Sequence, residues 1–403
     1  MKNPAKNTVR WWVRGSLLLL SAGLVVGGPF IPWLAKVIPA LSPLTAISAS
    51  LAHRAWYATL FWTLPAVLAL GLALWKGRLF CRCICPLGTL YAAGSIKSLK
   101  KKILPVRLNG FLFWLIIFAS VVGLPLLLFL DPLSTFTRVG AMSNFAHWAS
   151  WVPGLLIPVM LLLGLFQPLI WCTHLCPLGY LFETVKIRKL TPQKLNQTRR
   201  EMIVGGLLGI PLALLLKNKA RAVNAPVLPP GATDLDNFSA TCKRCYACVH
   251  VCPTKVITVR KSADGLAELC LPELNYDQNE DSYCEEFCNA CSQACPTGAI
   301  RPLTEEAKRM RKIGTARVIR DACLGWHEKQ ECMACDEFCP YNAIEAHYGK
   351  GHGRGARVPK PVVNPHKCRG CGACQAICPA IRMGKAIVVD PMGKQGKVDN
   401  AYT

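Results

Sequence analysis

Twenty-two cysteines stand in a chain of 403 residues, and most of them recur at short, regular intervals. Sixteen form four related runs, each of which ends in Cys-Pro. The first and last runs read Cys-x2-Cys-x2-Cys-x3-Cys, whereas the second has one extra residue after its first cysteine and the third a longer insertion there. In chain order the runs are Cys242, Cys245, Cys248, Cys252; Cys284, Cys288, Cys291, Cys295; Cys323, Cys332, Cys335, Cys339; and Cys368, Cys371, Cys374, Cys378.

These intervals suit the thiolate ligands of iron–sulfur clusters. Three cysteines at three-residue intervals wrap one [4Fe–4S] cubane, and a fourth that precedes proline reaches the neighbouring cluster in two-cluster ferredoxins. Zinc sites use two separated pairs of ligands around one small ion. A disulfide framework gives no reason for four runs that end alike. The sequence therefore predicts four [4Fe–4S] clusters, with zinc or disulfides as the alternatives.

The pairing of the four runs is open at this point. Adjacent pairing (first with second, third with fourth) and nested pairing (first with fourth, second with third) both fit the spacing. Nested pairing is favoured because the outer two runs keep the regular interval and the inner two are the irregular ones. Cys270 stands outside all four runs and is predicted not to be a ligand.

Two further cysteine pairs, Cys81/Cys85 and Cys172/Cys176, each precede Pro-Leu-Gly in the N-terminal half. Residues spaced i,i+4 share one face if helical, and the proline would fit the first turn of a following helix. The two copies follow alternate apolar segments and can meet around one centre. The two pairs predict a further metal site, mainly iron–sulfur with zinc as an alternative. The other interpretations of these pairs are a redox dithiol pair or simple packing. Cys83, between the residues of the first pair, is predicted not to be a ligand.

Apolar segments of membrane length must position these pairs. Uncharged stretches cover Gly15–Ala35, Ala55–Trp75, Leu108–Leu130 and Trp148–Trp171. Each is long enough to cross about 30 Å of hydrocarbon as a helix. A fifth run, Met202–Leu216, has fifteen apolar residues and is expected to cross or to act as a signal-like segment.

Basic residues lie mainly on one set of loops, and this accounts for much of the formal charge of +24. Residues 1–14, 76–107 and 172–201 hold four, eight and six Lys/Arg, whereas the two intervening loops hold three between them. The positive-inside rule places the N-terminus and both CxxxCP pairs in the cytoplasm. The charge is therefore topological, and no nucleic-acid partner is predicted.

Three parts follow from the change in composition. Residues 1–197 are predicted to form a four-helix membrane domain, residues 198–225 a fifth transmembrane or twin-arginine-like segment with a linker, and residues 226–403 a polyferredoxin domain. The expected fold is an α-helical membrane bundle of four to five transmembrane helices followed by a small α+β ferredoxin-like domain. If the fifth segment crosses, that domain lies on the outer face.

The C-terminal half resembles the NapG/MauM-type periplasmic polyferredoxins over about residues 199–403. The stretches "LPPGATDLDNFSATCKRCYACVHVCP", "CLGWHEKQECMACDEFCP" and "CRGCGACQAICP" carry this resemblance. It implies four [4Fe–4S] clusters that serve periplasmic reductases or dehydrogenases. Thr198–Leu216 resembles that family's twin-arginine signal, the alternative being a basic flank before a membrane helix, and cleavage after Ala225 would divide the protein in two.

The N-terminal half, about residues 1–197, resembles the NapH/MauN-type membrane proteins. The resemblance rests on four helices, on "CRCICPLGTL" and "CTHLCPLGYL" after the second and fourth, and on "FLDPLS" after the third. It implies quinol-linked electron transfer. That family usually continues into a small cytoplasmic two-cluster ferredoxin, whereas here about thirty basic residues lead to the fifth segment.

Together these features predict a multi-pass inner-membrane protein with a cytoplasmic N-terminus and a periplasmic ferredoxin domain. It would be the electron-transfer subunit of a quinol dehydrogenase-type complex, linking the quinone pool to a periplasmic reductase, dehydrogenase or cytochrome. The alternative is a maturation or maintenance factor that supplies electrons to a periplasmic metalloenzyme. No C-x-x-C-H occurs, so covalent c-type haem is not expected.

Smaller expectations concern protons and docking. His53, Asp131 and His147 are candidates near the outer surface for accepting protons from a quinol. The basic stretch Arg301–Arg320 would dock an acidic partner by electrostatic steering, unless it is a solvated helix face. No catalytic residue is predicted.

Overall fold

The computed structural model of the chain describes residues 4–53, 57–94, 108–124, 130–142, 154–166, 169–185, 192–218, 225–260, 268–349, 358–380 and 384–397. The N-terminal half, residues 4–218, is helical. Its helices are α1 (Pro4–Val26), α2 (Val37–Ala40), α3 (Pro43–His53), α4 (Tyr57–Lys76), α5 (Leu79–Cys83), α6 (Pro86–Gly94), α7 (Asn109–Val121), α8 (Pro132–Ala141), α9 (Leu156–Phe166), α10 (Pro177–Thr184) and α11 (Pro192–Asn218). A 3-10 helix covers Pro32–Lys36 and a π-helix covers Trp171–Leu175.

The helices depart from the predicted membrane segments. Gly15–Ala35 is not one straight helix, because α1 ends at Val26 and Gly27 and Gly28 open a turn before the 3-10 helix. Parts of the other three predicted spans, at 55–56, 125–129, 148–153 and 167–168, lie outside the described residues. Within the described part of the chain, no single helix is long and apolar enough to cross a membrane, although two segments bent by 93°, Pro32–Ala40 and Pro43–Leu51, together pass by length and composition.

The fifth apolar run belongs to α11, which continues through the boundary predicted at residues 197 and 198 and packs along α7. A Cβ added to Gly205 would lie 2.7 Å from the Cβ of Trp114, and one added to Gly209 would lie 3.4 Å from the Cβ of Phe118. Small residues four positions apart let two helix backbones approach closely. The twin-arginine-like segment is therefore packed into the helical bundle. The residues that precede Ala225, 219–224, lie outside the described part.

The ferredoxin half, residues 225–397, consists of short helices and three two-stranded antiparallel ladders, in agreement with an α+β fold. Its helices are α12 (Leu235–Thr241), α13 (Ala247–Val251), α14 (Ala290–Ala294), α15 (Glu305–Arg309), α16 (Ala334–Glu337) and α17 (Ala373–Ile377). Its strands are β1 (Ile257–Val259), β2 (Pro272–Leu274), β3 (Arg311–Val318), β4 (Ile344–His347), β5 (Lys360–Val363) and β6 (Ile387–Lys397). Strand β1 pairs with β2, β3 with β6, and β4 with β5.

One local design recurs in every cysteine run. The third cysteine is the second residue of a short helix that begins with alanine, as in α13, α14, α16 and α17. In three of the four runs the last cysteine is the C-cap of that helix and has extended or near-extended backbone angles. The following proline cannot continue the helix hydrogen bonding. Each run therefore turns away from the cavity that its first three cysteines line.

The last run depends on two glycines with positive φ, 78° at Gly370 and 84° at Gly372. A Cβ at Gly372 would lie 2.1 Å from the ring of Tyr276, and one at Gly370 would lie 2.5 Å from the backbone nitrogen of Gly314. The Tyr276 hydroxyl in turn donates to the Gly370 carbonyl at 2.8 Å. The loop therefore has no room for a side chain at either position.

We expect Gly372→Ala to destabilise the ferredoxin half. Overpacking costs about 1–3 kcal/mol, and a positive φ costs about 1 kcal/mol more for alanine than for glycine. The urea midpoint at which the visible iron–sulfur absorbance disappears is expected to fall. Gly393→Ala is the matched control, because nothing lies within 4 Å of a Cβ built there. Equal midpoints for the two variants would contradict the packing argument.

Candidate iron–sulfur sites

Four groups of four cysteines line four separate cavities in the ferredoxin half. Site I comprises Cys242, Cys245, Cys248 and Cys295; site II comprises Cys284, Cys288, Cys291 and Cys252; site III comprises Cys323, Cys332, Cys335 and Cys378; site IV comprises Cys368, Cys371, Cys374 and Cys339. Each site takes three cysteines from one run and the last cysteine of an adjacent run. Cys270 belongs to none of these groups.

The nested pairing favoured by the spacing is therefore wrong, and the pairing is adjacent. The reason lies in the connections between runs. The β1–β2 ladder lies between the first and second runs, and the β4–β5 ladder lies between the third and fourth. Because an antiparallel ladder returns the chain to where it started, each run meets its sequence neighbour. The irregular spacing of the inner runs does not alter this.

Backbone N–H groups point at several cysteine sulfurs. The Ile300 nitrogen donates to Cys295 Sγ at 3.4 Å, and the Ala343 nitrogen donates to Cys339 Sγ at 3.3 Å. In site IV the Ala316 nitrogen, from β3, donates to Cys368 Sγ at 3.3 Å. Hydrogen bonds to the sulfurs stabilise thiolates and are one determinant of cluster potential.

The buried cysteine thiols of these sites favour a positively charged group in each cavity. Burial raises the pKa of Cys242, Cys335 and Cys371 to about 12 in each case. At neutral pH such thiols stay protonated unless a cation stabilises the thiolate. Convergent sulfurs, inward N–H donors and this need for positive charge fit iron–sulfur clusters.

The described residues contain no three His, Cys, Asp or Glu side chains placed to hold one metal ion. A cubane has a different requirement, because four cysteines bind a core of four irons. Four-cysteine sites that line a cavity meet that requirement.

The four sites follow one another in the order I, II, IV, III. Sites I and II exchange their last cysteines, and so do sites IV and III. Sites II and IV are joined directly, because the Cys284 nitrogen donates to the Cys371 carbonyl at 2.9 Å. Site I is thus at one end of the row and site III at the other.

Site I lies against the N-terminal half, and we call this contact surface the junction. Lys243 Nζ donates to the Pro39 carbonyl at 2.9 Å and to Thr45 Oγ1 at 2.8 Å. From α8, Thr137 Oγ1 donates to the Cys245 carbonyl at 3.2 Å. The loop that holds the first three cysteines of site I is therefore bonded to the helical half.

A small apolar cluster and one histidine extend the junction. Ala35 packs against Cys245, Val251 and Ala294. His250, from α13, lies with Nε2 2.8 Å from the Val25 carbonyl at the end of α1. The junction therefore involves α1, the 3-10 helix, α2, α3 and α8.

Asp131 has a different place from the one predicted. It is completely buried, and Ser42 Oγ donates to its Oδ1 at 2.8 Å. Its Oδ2 caps α8 by accepting from the Ser134 nitrogen at 3.1 Å, and lies 4.0 Å from Lys243 Nζ. The carboxylate is enclosed at the junction, and a role for it in accepting protons from a quinol stays a prediction.

The described part of the structure does not include the side chains of the two candidate histidines, and their predicted role is not tested. His53 is the last residue of α3, and His147 lies outside the described residues. Lys243 and Arg138 were not predicted from the sequence. The signal was present in "CKRC", where two cations separate two ligand cysteines, but the partners of Lys243 lie 198 and 204 residues away.

The paired motif of the N-terminal half forms a fifth group, site V (Cys81, Cys85, Cys172 and Cys176). Burial and the charge of Cys172 raise the pKa of Cys81 to about 12, and burial raises that of Cys172 to about 11. Cys85 and Cys176 belong to one buried cluster. The two copies therefore adjoin each other, and a shared metal centre there stays a prediction.

The local geometry of the two copies is equivalent. Helices α6 and α10 begin at Pro86 and Pro177, as predicted. Cys85 Sγ accepts from the Gly88 nitrogen and Cys176 Sγ from the Gly179 nitrogen, each at 3.4 Å. Neither pair lies on one continuous α-helix, because α5 ends at Cys83, before Cys85, and Cys172 lies in the π-helix that Cys176 caps.

The basic stretch Arg301–Arg320 has internal partners for several of its cations. Arg309 Nε lies 2.8 Å from Glu286 Oε1, and Arg317 Nε lies 2.7 Å from Asp390 Oδ2. Lys308 is buried and donates to the Glu286 carbonyl at 3.3 Å. These cations stabilise the ferredoxin half itself, and docking of an acidic partner here stays a prediction.

Adjacent pairing can be tested by iron content. Cys242→Ala/Cys295→Ala removes two ligands of site I alone, so it is expected to cost no more than one cluster, about four irons. Cys242→Ala/Cys378→Ala damages sites I and III and is expected to cost about eight. Nested pairing reverses the two losses. Iron and acid-labile sulfide per chain are the measurements, and Cys270→Ala is the control with unchanged iron.

Two sequence families match the cysteine-bearing parts of the chain. A 4Fe-4S dicluster domain matches residues 241–299 and 330–381. A 4Fe-4S binding domain matches residues 58–103 and 147–192, which include the cysteines of site V. No solved structure matches the chain.

Similar proteins cover the ferredoxin half. The ferredoxin-type protein NapF of Escherichia coli (strain K12) is 31% identical over 165 residues, 41% of this chain and 87% of NapF. NapG of the same organism is 30% identical over 190 residues, 44% of this chain and 79% of NapG. The methylamine utilization ferredoxin-type protein MauM of Methylorubrum extorquens is 28% identical over 194 residues, 45% of this chain and 85% of MauM. Through its C-terminal half, the chain belongs to the family of ferredoxin-type iron–sulfur proteins.

Proposed function

We propose that this iron–sulfur electron-transfer protein links the membrane quinone pool to a periplasmic redox protein through four [4Fe–4S] clusters at sites I to IV. The observation that carries the proposal is the single row of cysteine sites, with site I bonded to the helical half and site III farthest from it along the row. A row with one end at the helical half suits transfer out of that half to a partner at the other end.

Exposed apolar side chains on several helices support membrane residence. Leu19 on α1 is 75% exposed, Leu68 on α4 is 68%, Leu162 on α9 is 60% and Leu207 on α11 is 69%. Large apolar side chains in such numbers are costly in water and favour a lipid environment. With the basic loops inside, site V faces the cytoplasm and the junction faces the periplasm.

Oxidation of a quinol to a quinone releases two electrons and two protons. When bound, [4Fe–4S] clusters supply one-electron chemistry, so the electrons leave the quinol singly. The order of transfer follows from the way in which the sites are joined. Sites I and II exchange their last cysteines, the Cys284–Cys371 hydrogen bond joins sites II and IV, and sites IV and III also exchange their last cysteines. Site V would hold a further centre on the cytoplasmic side.

The periplasmic partner would dock beside site III. Trp326 lies next to this site, and its ring is covered by the Arg320 guanidinium at 4.4 Å and the Lys360 ammonium at 5.2 Å. The name of MauM connects that protein with methylamine utilization, and the resemblance to periplasmic polyferredoxins favours a partner of the reductase or dehydrogenase class. The alternative function, in which the protein supplies electrons to a metalloenzyme during its assembly, uses the same row of sites.

Quinol-driven reduction tests the proposal. In anaerobic, detergent-solubilised protein, a reduced short-chain quinone is expected to reduce the clusters, seen as reduced-state EPR signals. Cys245→Ser, which alters site I, is expected to slow reduction of sites II to IV by at least about tenfold, because the remaining clusters lie farther from the helical half. Cys323→Ser, at site III, is the matched control and is expected to leave reduction of sites I and II unchanged.

Dithionite reduces the remaining clusters in both variants and shows that they are present. Absence of quinol-driven reduction in the wild type would contradict the quinone link. A defect confined to the cofactor content of a periplasmic metalloenzyme would favour the maturation role.

Topology gives a second test. A fluorescent protein that matures only in the cytoplasm is expected to fluoresce at the N-terminus of the full chain and to stay dark at the C-terminus. Alkaline phosphatase, active only outside, is expected to show the opposite result. A cytoplasmic C-terminus would place sites I to V on one face and would contradict the periplasmic arrangement.

A further inference from the structure

Besides Arg244, which is buried within the site I loop and bonded to the Cys242 carbonyl, two buried cations at the junction stand beside site I. Lys243 directly follows the site I ligand Cys242, and its side chain is only 1% exposed. Its ammonium donates to two groups of the helical half, the Pro39 carbonyl and Thr45 Oγ1, and lies 4.0 Å from Asp131 Oδ2. A charge in the site I loop is thus enclosed by the other half of the molecule.

The second cation comes from the opposite direction. Arg138 belongs to α8 and is completely buried. Its Nε donates to the Arg244 carbonyl, within the site I loop, at 2.9 Å, and its Nη1 donates to Thr135 Oγ1 at 3.2 Å. The two halves therefore exchange buried cations across the junction.

Site IV offers an internal comparison. Arg369 follows the first cysteine of its run, as Lys243 does, and is also buried. Arg369 Nη1 donates to the His366 and Lys367 carbonyls, three and two residues away, at 2.8 and 3.2 Å. These two bonds stay within its own loop, whereas the two bonds of Lys243 cross the junction.

We infer that Lys243 and Arg138 hold the site I cluster against the helical half and raise its reduction potential, which makes site I the port where electrons pass between the two halves. The inference rests on the proposed function for the source of the electrons. It assigns Lys243 and Arg138 as positioning residues of that port.

The electrostatic reason is the charge of the reduced cluster. A [4Fe–4S] core of charge 2+ with four thiolates carries about −2, and uptake of one electron takes it to about −3. A buried cation stabilises this added charge more than an exposed one does, because the interior screens weakly. The Asp131 carboxylate has the opposite effect, since it neutralises part of the positive charge. Loss of Lys243 and loss of Asp131 therefore shift the reduction potential of site I in opposite directions.

The test is an anaerobic redox titration of the full chain with mediators, followed by EPR. The site I signal is identified as the one missing in Cys242→Ala/Cys295→Ala. In Lys243→Met the midpoint potential of site I is expected to become more negative, and in Asp131→Asn more positive. Asparagine can still cap α8, so this variant keeps the fold. Arg369→Gln is the matched control, expected to leave the site I midpoint unchanged.

Shifts of the same sign in Lys243→Met and Asp131→Asn, or no shift in either, would overturn the inference. If Lys243→Met loses the site I cluster, Asp131→Asn alone decides by its direction, and Lys243→Arg is expected to restore the cluster. The titration uses dithionite and mediators, so its result does not depend on quinol oxidation. A failed quinol assay with opposite shifts would refute the quinone link and leave the port intact.

Discussion

The exchange of one cysteine between neighbouring runs is the constraint on which the ferredoxin half depends. Each site is incomplete without the last cysteine of another run, so no run can form a site alone. The β1–β2 and β4–β5 ladders return the chain at the right places for this exchange. The cysteines are also part of the buried core of this half. Cluster binding and folding are therefore coupled, as in other small domains whose core is built around metal.

A second constraint acts at the junction. Burying Lys243, Arg138 and Asp131 together has a large desolvation cost, which a buried ion pair often fails to recover. Apolar residues of similar size would hold the halves together at least as well. The charges have a use beyond adhesion, because they lie beside site I, whose loop is bonded to the helical half, and act on its electron affinity. The same side chains therefore affect both the stability of the junction and the reduction potential of site I.

Joining both halves in one chain has a physical consequence for electron transfer. Transfer between separate proteins requires an encounter, whereas covalent linkage makes the contact intramolecular and raises its effective concentration. Hydrogen bonds from Lys243 and Thr137 then fix the orientation of site I. The short helix α8, capped by Asp131, contributes Thr137 and Arg138 to this contact.

Residue types and their spacing determined the chemistry of this protein. The sixteen cysteines, the C-terminal prolines of each run and the starts of α6 and α10 at Pro86 and Pro177 all follow from local pattern, because the ligand intervals and the geometry of proline act over a few residues. The sequence also separated a helical half from a ferredoxin half.

Only the tertiary structure decided which run completes which site and what Asp131 contacts. The spacing of the cysteines within a run does not depend on the β ladders between runs. The spacing therefore could not predict which runs pair, and it favoured the wrong pairing. Asp131 and Lys243 are 112 positions apart in the chain, and nothing local in either sequence neighbourhood specifies their contact. Long-range contacts of this kind arise when two folded halves bury a common surface. Burial then strengthens the electrostatic effect of each charge on its neighbours.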